Sequence, residues 1–106
     1  MSTSEQLGFR ALADTTRRDI LKLLAGHDMT IAEVADNFDM TRAAVKKHLT
    51  ILSDGGLITV QAQGRSRINA LNPDGIKRVF DWFGFFDAFW DTRLTSLKDA
   101  IEKDTQ

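Results

Sequence analysis

Residues Thr41–Leu52 read TRAAVKKHLTIL, and their spacing decides the fold. Ala44, Val45, Leu49 and Leu52 recur in steps of threes and fours, which predicts an α-helix with one buried stripe. Thr41 stands where an N-cap belongs, and Ser53-Asp54-Gly55-Gly56 stops the helix. Arg42, Ala43, Lys46, Lys47 and Thr50 are then left pointing outward.

Upstream, MTIAEVADNFDM places Thr30 and Glu33 at capping-box spacing, followed by Ile31, Val34, Ala35 and Phe38 as a buried stripe. This predicts a helix of about two turns. Downstream, LITVQAQGRSRINAL carries a different period: Ile58 and Val60 alternate with polar residues, Gln63-Gly64-Arg65-Ser66 supplies a turn, and Ile68, Ala70 and Leu71 resume. That is a β-hairpin with a basic tip. Two short helices, a tight turn and a hairpin describe a winged helix-turn-helix, with the helix pair at about 30–54 and the wing at about 57–71. Ahead of them LGFRALADTTRRDILKLLAG predicts helices near 4–13 and 16–25, with Asp14 or Thr15 as a cap and Gly26 after the second.

The net charge of −1 is unevenly spread. Between Thr41 and Arg67 lie Arg42, Lys46, Lys47, Arg65 and Arg67 against Asp54 alone, a local +4, whereas the flanking segments carry −3 and −2. Such a patch steers a polyanion more than the total does. An α-helix fits the DNA major groove with its N-terminal residues at the base edges. Arg42 is therefore a candidate guanine reader, Lys46 and Lys47 offer phosphate or base contacts, and small Ala43 permits close approach. A cation in the first turn is disfavoured by the helix dipole, so Arg42 is better explained by an anionic partner than by helix stability. On the hairpin, Gln63, Arg65, Ser66 and Arg67 suit a phosphate backbone or an adjacent minor groove. His48 has two readings, a DNA contact or a brace between its helix and the hairpin; His27 reads as a solvated loop residue.

Pro73, with Asn72 as a plausible cap, opens a last helix at about 73–103. Ile76, Val79, Phe80, Phe83, Phe86, Trp90, Leu94, Leu97 and Ile101 advance mostly by threes and fours and predict about seven turns. Its aromatic residues need two surfaces. Phe80, Phe83, Phe86 and Trp90 fall on one side, and Trp82, Phe85 and Phe89 on another. The domain's own core accounts for one stripe and a partner chain for the other. The candidate dimer interface is Leu7, Phe9, Phe80, Trp82, Phe83, Phe86, Phe89, Trp90, Leu94 and Leu97. An apolar effector pocket among the rings is the weaker reading, because filled seams outnumber cavities.

The chain has 106 residues, 42% of them hydrophobic, which suits one domain spanning 1–106. With no cysteine, disulfides, thiolate metal sites and cysteine nucleophiles are excluded. MSTSEQLGFRAL lacks a basic region followed by an apolar run, and no window reaches the roughly 18 apolar residues of a membrane span. A cytoplasmic protein is expected. Asp87 and Asp91 lie one turn apart but read as a solvated face, and no nucleophile–base set or phosphate loop is present. No metal, cofactor or enzymatic activity is expected.

ALADTTRRDILKLL, MTIAEVADNFDMTRAAVKKHLTILSDGGLI and VQAQGRSRINAL together resemble the ArsR family of bacterial transcriptional repressors, over about two thirds of the chain. The resemblance implies a homodimeric repressor that binds an imperfect inverted repeat in double-stranded DNA, with Thr41, Arg42, Ala43, Lys46, Lys47, Arg65 and Arg67 facing the duplex. Members of the family that sense metals place cysteines on the first helix of the motif, where this chain has IAEVADNF, or Asp, His and Glu on the terminal helix, where it has no histidine. Thr15 stands where the family usually has proline. The competing reading is a winged-helix protein-interaction module that does not bind DNA.

Overall fold

The computed structural model describes residues 3–104. Helices α1 (Thr3–Leu12) and α2 (Thr15–Gly26) open the chain. A two-residue strand β1 (Met29–Thr30) leads into α3 (Ile31–Ala35), and a turn connects α3 to α4 (Arg42–Asp54). Strands β2 (Ile58–Gln63) and β3 (Ser66–Leu71) form the hairpin. The chain continues as α5 (Pro73–Phe83), a 3-10 turn (Gly84–Phe86) and α6 (Asp87–Asp104).

Side chains set three of the helix starts. Asp14 caps α2 by accepting from the Arg17 amide at 3.1 Å, and Thr41 caps α4 by accepting from the Ala44 amide at 3.1 Å. At α3 the full capping box is made: Thr30 Oγ1 accepts from the Glu33 amide at 3.2 Å, and Glu33 Oε1 accepts from the Thr30 amide at 2.9 Å. Each threonine cap stabilises its helix by about 1 kcal/mol. The buried faces then meet in one core. Ile20, Leu21 and Leu24 of α2, Val34 of α3, and Val45, Leu49 and Leu52 of α4 pack with Leu57, Ile58 and Val79.

The hairpin pairs antiparallel from Ile58↔Leu71 to Gln63↔Ser66, with Gly64 at φ +62 in the turn, a conformation open to glycine. β1 adds a third strand through Met29↔Asn69 and Thr30↔Ile68, giving the order β1-β3-β2. Here the expected inward alternation fails. Val60 is exposed, and the buried residue is Asn69, whose Nδ2 donates to the Met29 carbonyl at 3.2 Å. The hairpin leaves the core at its base, so only Ile58 of β2 is covered, while β1 closes over Asn69.

The long C-terminal helix runs over about 73–103 as expected, with one 3-10 turn inside it: at Gly84 the amide bonds back to the Asp81 carbonyl, and the Asp87 amide to that of Gly84, the three-residue spacing of such a turn at a residue of low helix propensity. One expectation for this region is corrected: the domain does not bury one aromatic stripe. Val79 and Gly75 are buried and Ile76 is half-buried, but Phe80 is 70% exposed and Phe85 85%. Only the start of α5 lies on the core. Beyond it α1 supplies Phe9, edge-on to Trp82 at 5.4 Å and to Phe83 at 6.5 Å. Asn72 occupies the cap position without capping; its Nδ2 donates instead to the Gly56 carbonyl at 2.9 Å.

Candidate nucleic-acid interface

Between α4 and the hairpin lies a concavity of about 630 Å³. Its walls follow from two periodicities. On α4, Arg42, Lys46, Leu49, Thr50 and Ser53 advance by threes and fours and share one face. On β3, Arg65, Arg67 and Asn69 are spaced by twos around the strand's start, and Val60 lies directly opposite Asn69 on β2. Thr30, Ile31 and Ala32 close the end nearest α3.

Four cations thus rim a single groove with an apolar floor of Ile31, Leu49 and Val60. None of Arg42, Lys46, Arg65 and Arg67 is in an ion pair among the described residues. No carboxylate stands in the first turn of α4, so the dipole and Arg42 both present positive potential at that end. Asp54 is the acid that lines the groove, at the far end of α4. The Thr50 hydroxyl donates to the Lys46 carbonyl at 2.9 Å, which leaves its oxygen free to accept.

Of the residues expected at the interface, Arg42, Lys46, Thr50, Arg65, Ser66 and Arg67 come together in this groove. Ala43, Lys47 and Gln63 are exposed outside it, and Thr41 is exposed with its side chain used as the cap. His48 turns away: it is half-buried, with Nδ1 3.4 Å from Nη1 of Arg17. Its hydrogen-bond contact is to α2. Ser53, Asn69 and the Thr30–Ala32 corner also line the groove, beyond the residues expected there. Ser53 was detectable by continuing the Arg42 series one more turn; Asn69 depends on β1, which nothing local announces.

Residues 12–61 match a family described as a helix-turn-helix domain. The chain is 32% identical to the HTH-type transcriptional regulator Rv2034 of Mycobacterium tuberculosis over 98% of its own length and 96% of that protein's. It is 34% identical to the transcriptional repressor SdpR of Bacillus subtilis over 70% of its length and 82% of SdpR. The crystal structure of an ArsR family transcriptional regulator, RHA00566, superposes with a TM-score of 0.76 at 34% identity, covering 83% of this chain and 97% of that one. The chain belongs to the ArsR family of winged helix-turn-helix transcriptional regulators.

As an ArsR-family regulator it has no cysteine to build a thiolate sensor, and among the described residues no three His, Asp or Glu side chains converge as metal ligands do. No helix among them is long and apolar enough to cross a membrane.

Proposed function

We propose that this ArsR-family regulator is a cytoplasmic homodimeric repressor that binds an inverted repeat and excludes other proteins from the promoter. The convergence of Arg42, Lys46, Arg65 and Arg67 on one unpaired cationic groove carries the reading. Arg42 and Lys46 enter the major groove from α4, while Arg65, Ser66 and Arg67 follow the phosphates beside it. The similarity to a protein named as a repressor supports the direction of regulation.

Dimerisation is supported by what the single chain leaves uncovered. Trp82, Phe83, Phe85, Phe89 and Trp90 are all exposed, and so are Leu94, Leu97 and Ile101 further along α6. Fully burying one such side chain is worth roughly 1.5–3 kcal/mol, so a few per chain outweigh the cost of association. Two-fold symmetry then sets the paired α4 helices about 34 Å apart, one turn of duplex.

The test is binding of labelled duplexes selected from random DNA, measured across a salt series. Specific binding to a two-fold repeat is expected, with an affinity that falls steeply with salt as counterions are released. Absent or salt-insensitive binding would overturn this reading and favour a protein-interaction module.

A further inference from the structure

His48 sits on the recognition helix but outside its groove. It lies two residues from Lys46, about 200° around the helix, and so on the opposite flank. There it meets Arg17, a side chain only 12% exposed that spends its guanidinium on three parts of the fold. Nε donates to the Ala11 carbonyl at 2.7 Å and Nη2 to the Arg10 carbonyl at 3.1 Å, both in the last turn of α1. Nη1 reaches His48 Nδ1 at 3.4 Å and stands 4.0 Å from Asp14 Oδ2, the α2 cap.

We propose that His48 is a positioning residue for DNA recognition, through which Arg17 fixes the rotation of α4 against the corner between α1 and α2. The inference rests on the DNA-binding reading above. A guanidinium has donors and no acceptor, so the contact requires His48 Nδ1 to accept, with the ring proton on Nε2. Arg17's planar fork donates to two carbonyls in the last turn of α1 and, from the same guanidinium, reaches the imidazole. A rotation of α4 about its own axis moves His48 off that fork. The same rotation swings Arg42 and Lys46 across the groove, so the contact selects the presentation in which they face it.

Two measurements on the full chain test this. Long-range nitrogen–proton NMR of the neutral imidazole is expected to find His48 as the Nε2–H tautomer; the Nδ1–H tautomer would overturn the proposal. This readout needs no DNA and separates a failure here from a failure of the DNA-binding reading. The second compares His48→Asn, which keeps an acceptor at the Nδ1 position, with His48→Phe, which keeps the ring and loses it. The probe is the duplex selected by the parent protein, set against random-sequence duplex. His48→Phe is expected to lose about tenfold in the specific-to-non-specific ratio, the cost of a poorly read base pair, with its salt slope unchanged. His48→Asn is expected to stay within about threefold of the parent. A slope reduced by about one in His48→Phe would place the imidazole on a phosphate and overturn the proposal. An unchanged ratio in a folded His48→Phe protein would do the same.

Discussion

Gly75 crosses Gly56 so closely that a Cβ on Gly75 would land on the Gly56 carbonyl oxygen. That oxygen cannot simply move aside, because Asn72 Nδ2 donates to it at 2.9 Å. The crossing joins the first turn of α5 to the end of the recognition helix, and α1 closes the other side, with the Leu7 carbonyl against Gly55 and Val79 against Gly8. The aromatic helix α5 and the end of α4 are therefore fixed to each other by backbone contact.

Gly75→Ala should consequently cost more than ordinary helix surface changes allow. An alanine in a helix interior normally stabilises relative to glycine, by roughly 0.5–1 kcal/mol. Here overpacking against a pinned carbonyl reverses the sign, and a loss of about 3 kcal/mol is expected in urea unfolding. A variant as stable as the parent would mean that α5 and the Gly55-Gly56 turn separate readily.

The second prediction concerns acid. Hydrogen bonds from the Arg17 amide, then the charge of Arg17, hold the Asp14 carboxyl below its ordinary 3.8. Bonds from the Thr30 amide and hydroxyl hold Glu33 below its ordinary 4.5. A carboxyl depressed in the folded state contributes stability that is present above its unfolded value and lost as pH falls through the folded one. Thermal midpoints should thus decline below about pH 4.5, and Asp14→Asn and Glu33→Gln should each flatten that decline. Glu33 is exposed and Asp14 partly exposed, so the slopes are modest; identical acid profiles for parent and double variant would show that these caps do not contribute to stability.

The caps are also where the sequence was most legible. Thr30 with Glu33, and Thr41, act on amides within three residues, so spacing locates them; at α2 spacing left Asp14 and Thr15 both open, and Asn72 stands in a cap position without capping. The buried stripe Val45, Leu49 and Leu52 was legible for the same reason, since helical period fixes which residues share a face. Non-local features were not. β1 is two residues long and exists because β3 offers it an edge. His48 is decided by Arg17, 31 residues away, and the break at Gly84 interrupts an apolar pattern that continues through it. The groove was half visible: its helical wall follows from Arg42 onward, but Asn69 and Val60 depend on strand register.

A third prediction addresses the exposed seam. Trp90, Leu94, Leu97 and Ile101 are spaced by four, three and four along α6, and each is more than half exposed in the single chain. Two lysines at Leu94 and Leu97 would be buried unpaired in any interface built on that stripe, which costs several kcal/mol. The double variant should sediment at half the parent's mass and lose affinity for the two-fold repeat, while its helical circular dichroism is kept. An unchanged mass would shift pairing to the Phe9–Trp82–Phe83 cluster nearer the core.

The last prediction uses the acid in the groove. Asp54 ends α4 and lines the same concavity as Lys46, Ser53 and the wing arginines. On the proposed DNA-binding reading, a phosphate strand crossing from α4 to the wing would pass this carboxylate and be repelled by it, an interaction screened by solvent because the residue is exposed. Asp54→Asn keeps the shape and removes the charge. Its affinity for selected and random duplexes alike should rise about two- to fivefold at low salt, and the gain should shrink as salt increases. Equal gains for both duplexes are required, since a carboxylate near the backbone tunes attraction without reading sequence. A gain confined to the selected duplex would instead place Asp54 beside a base edge, and weaker binding would mean that DNA does not run along this groove.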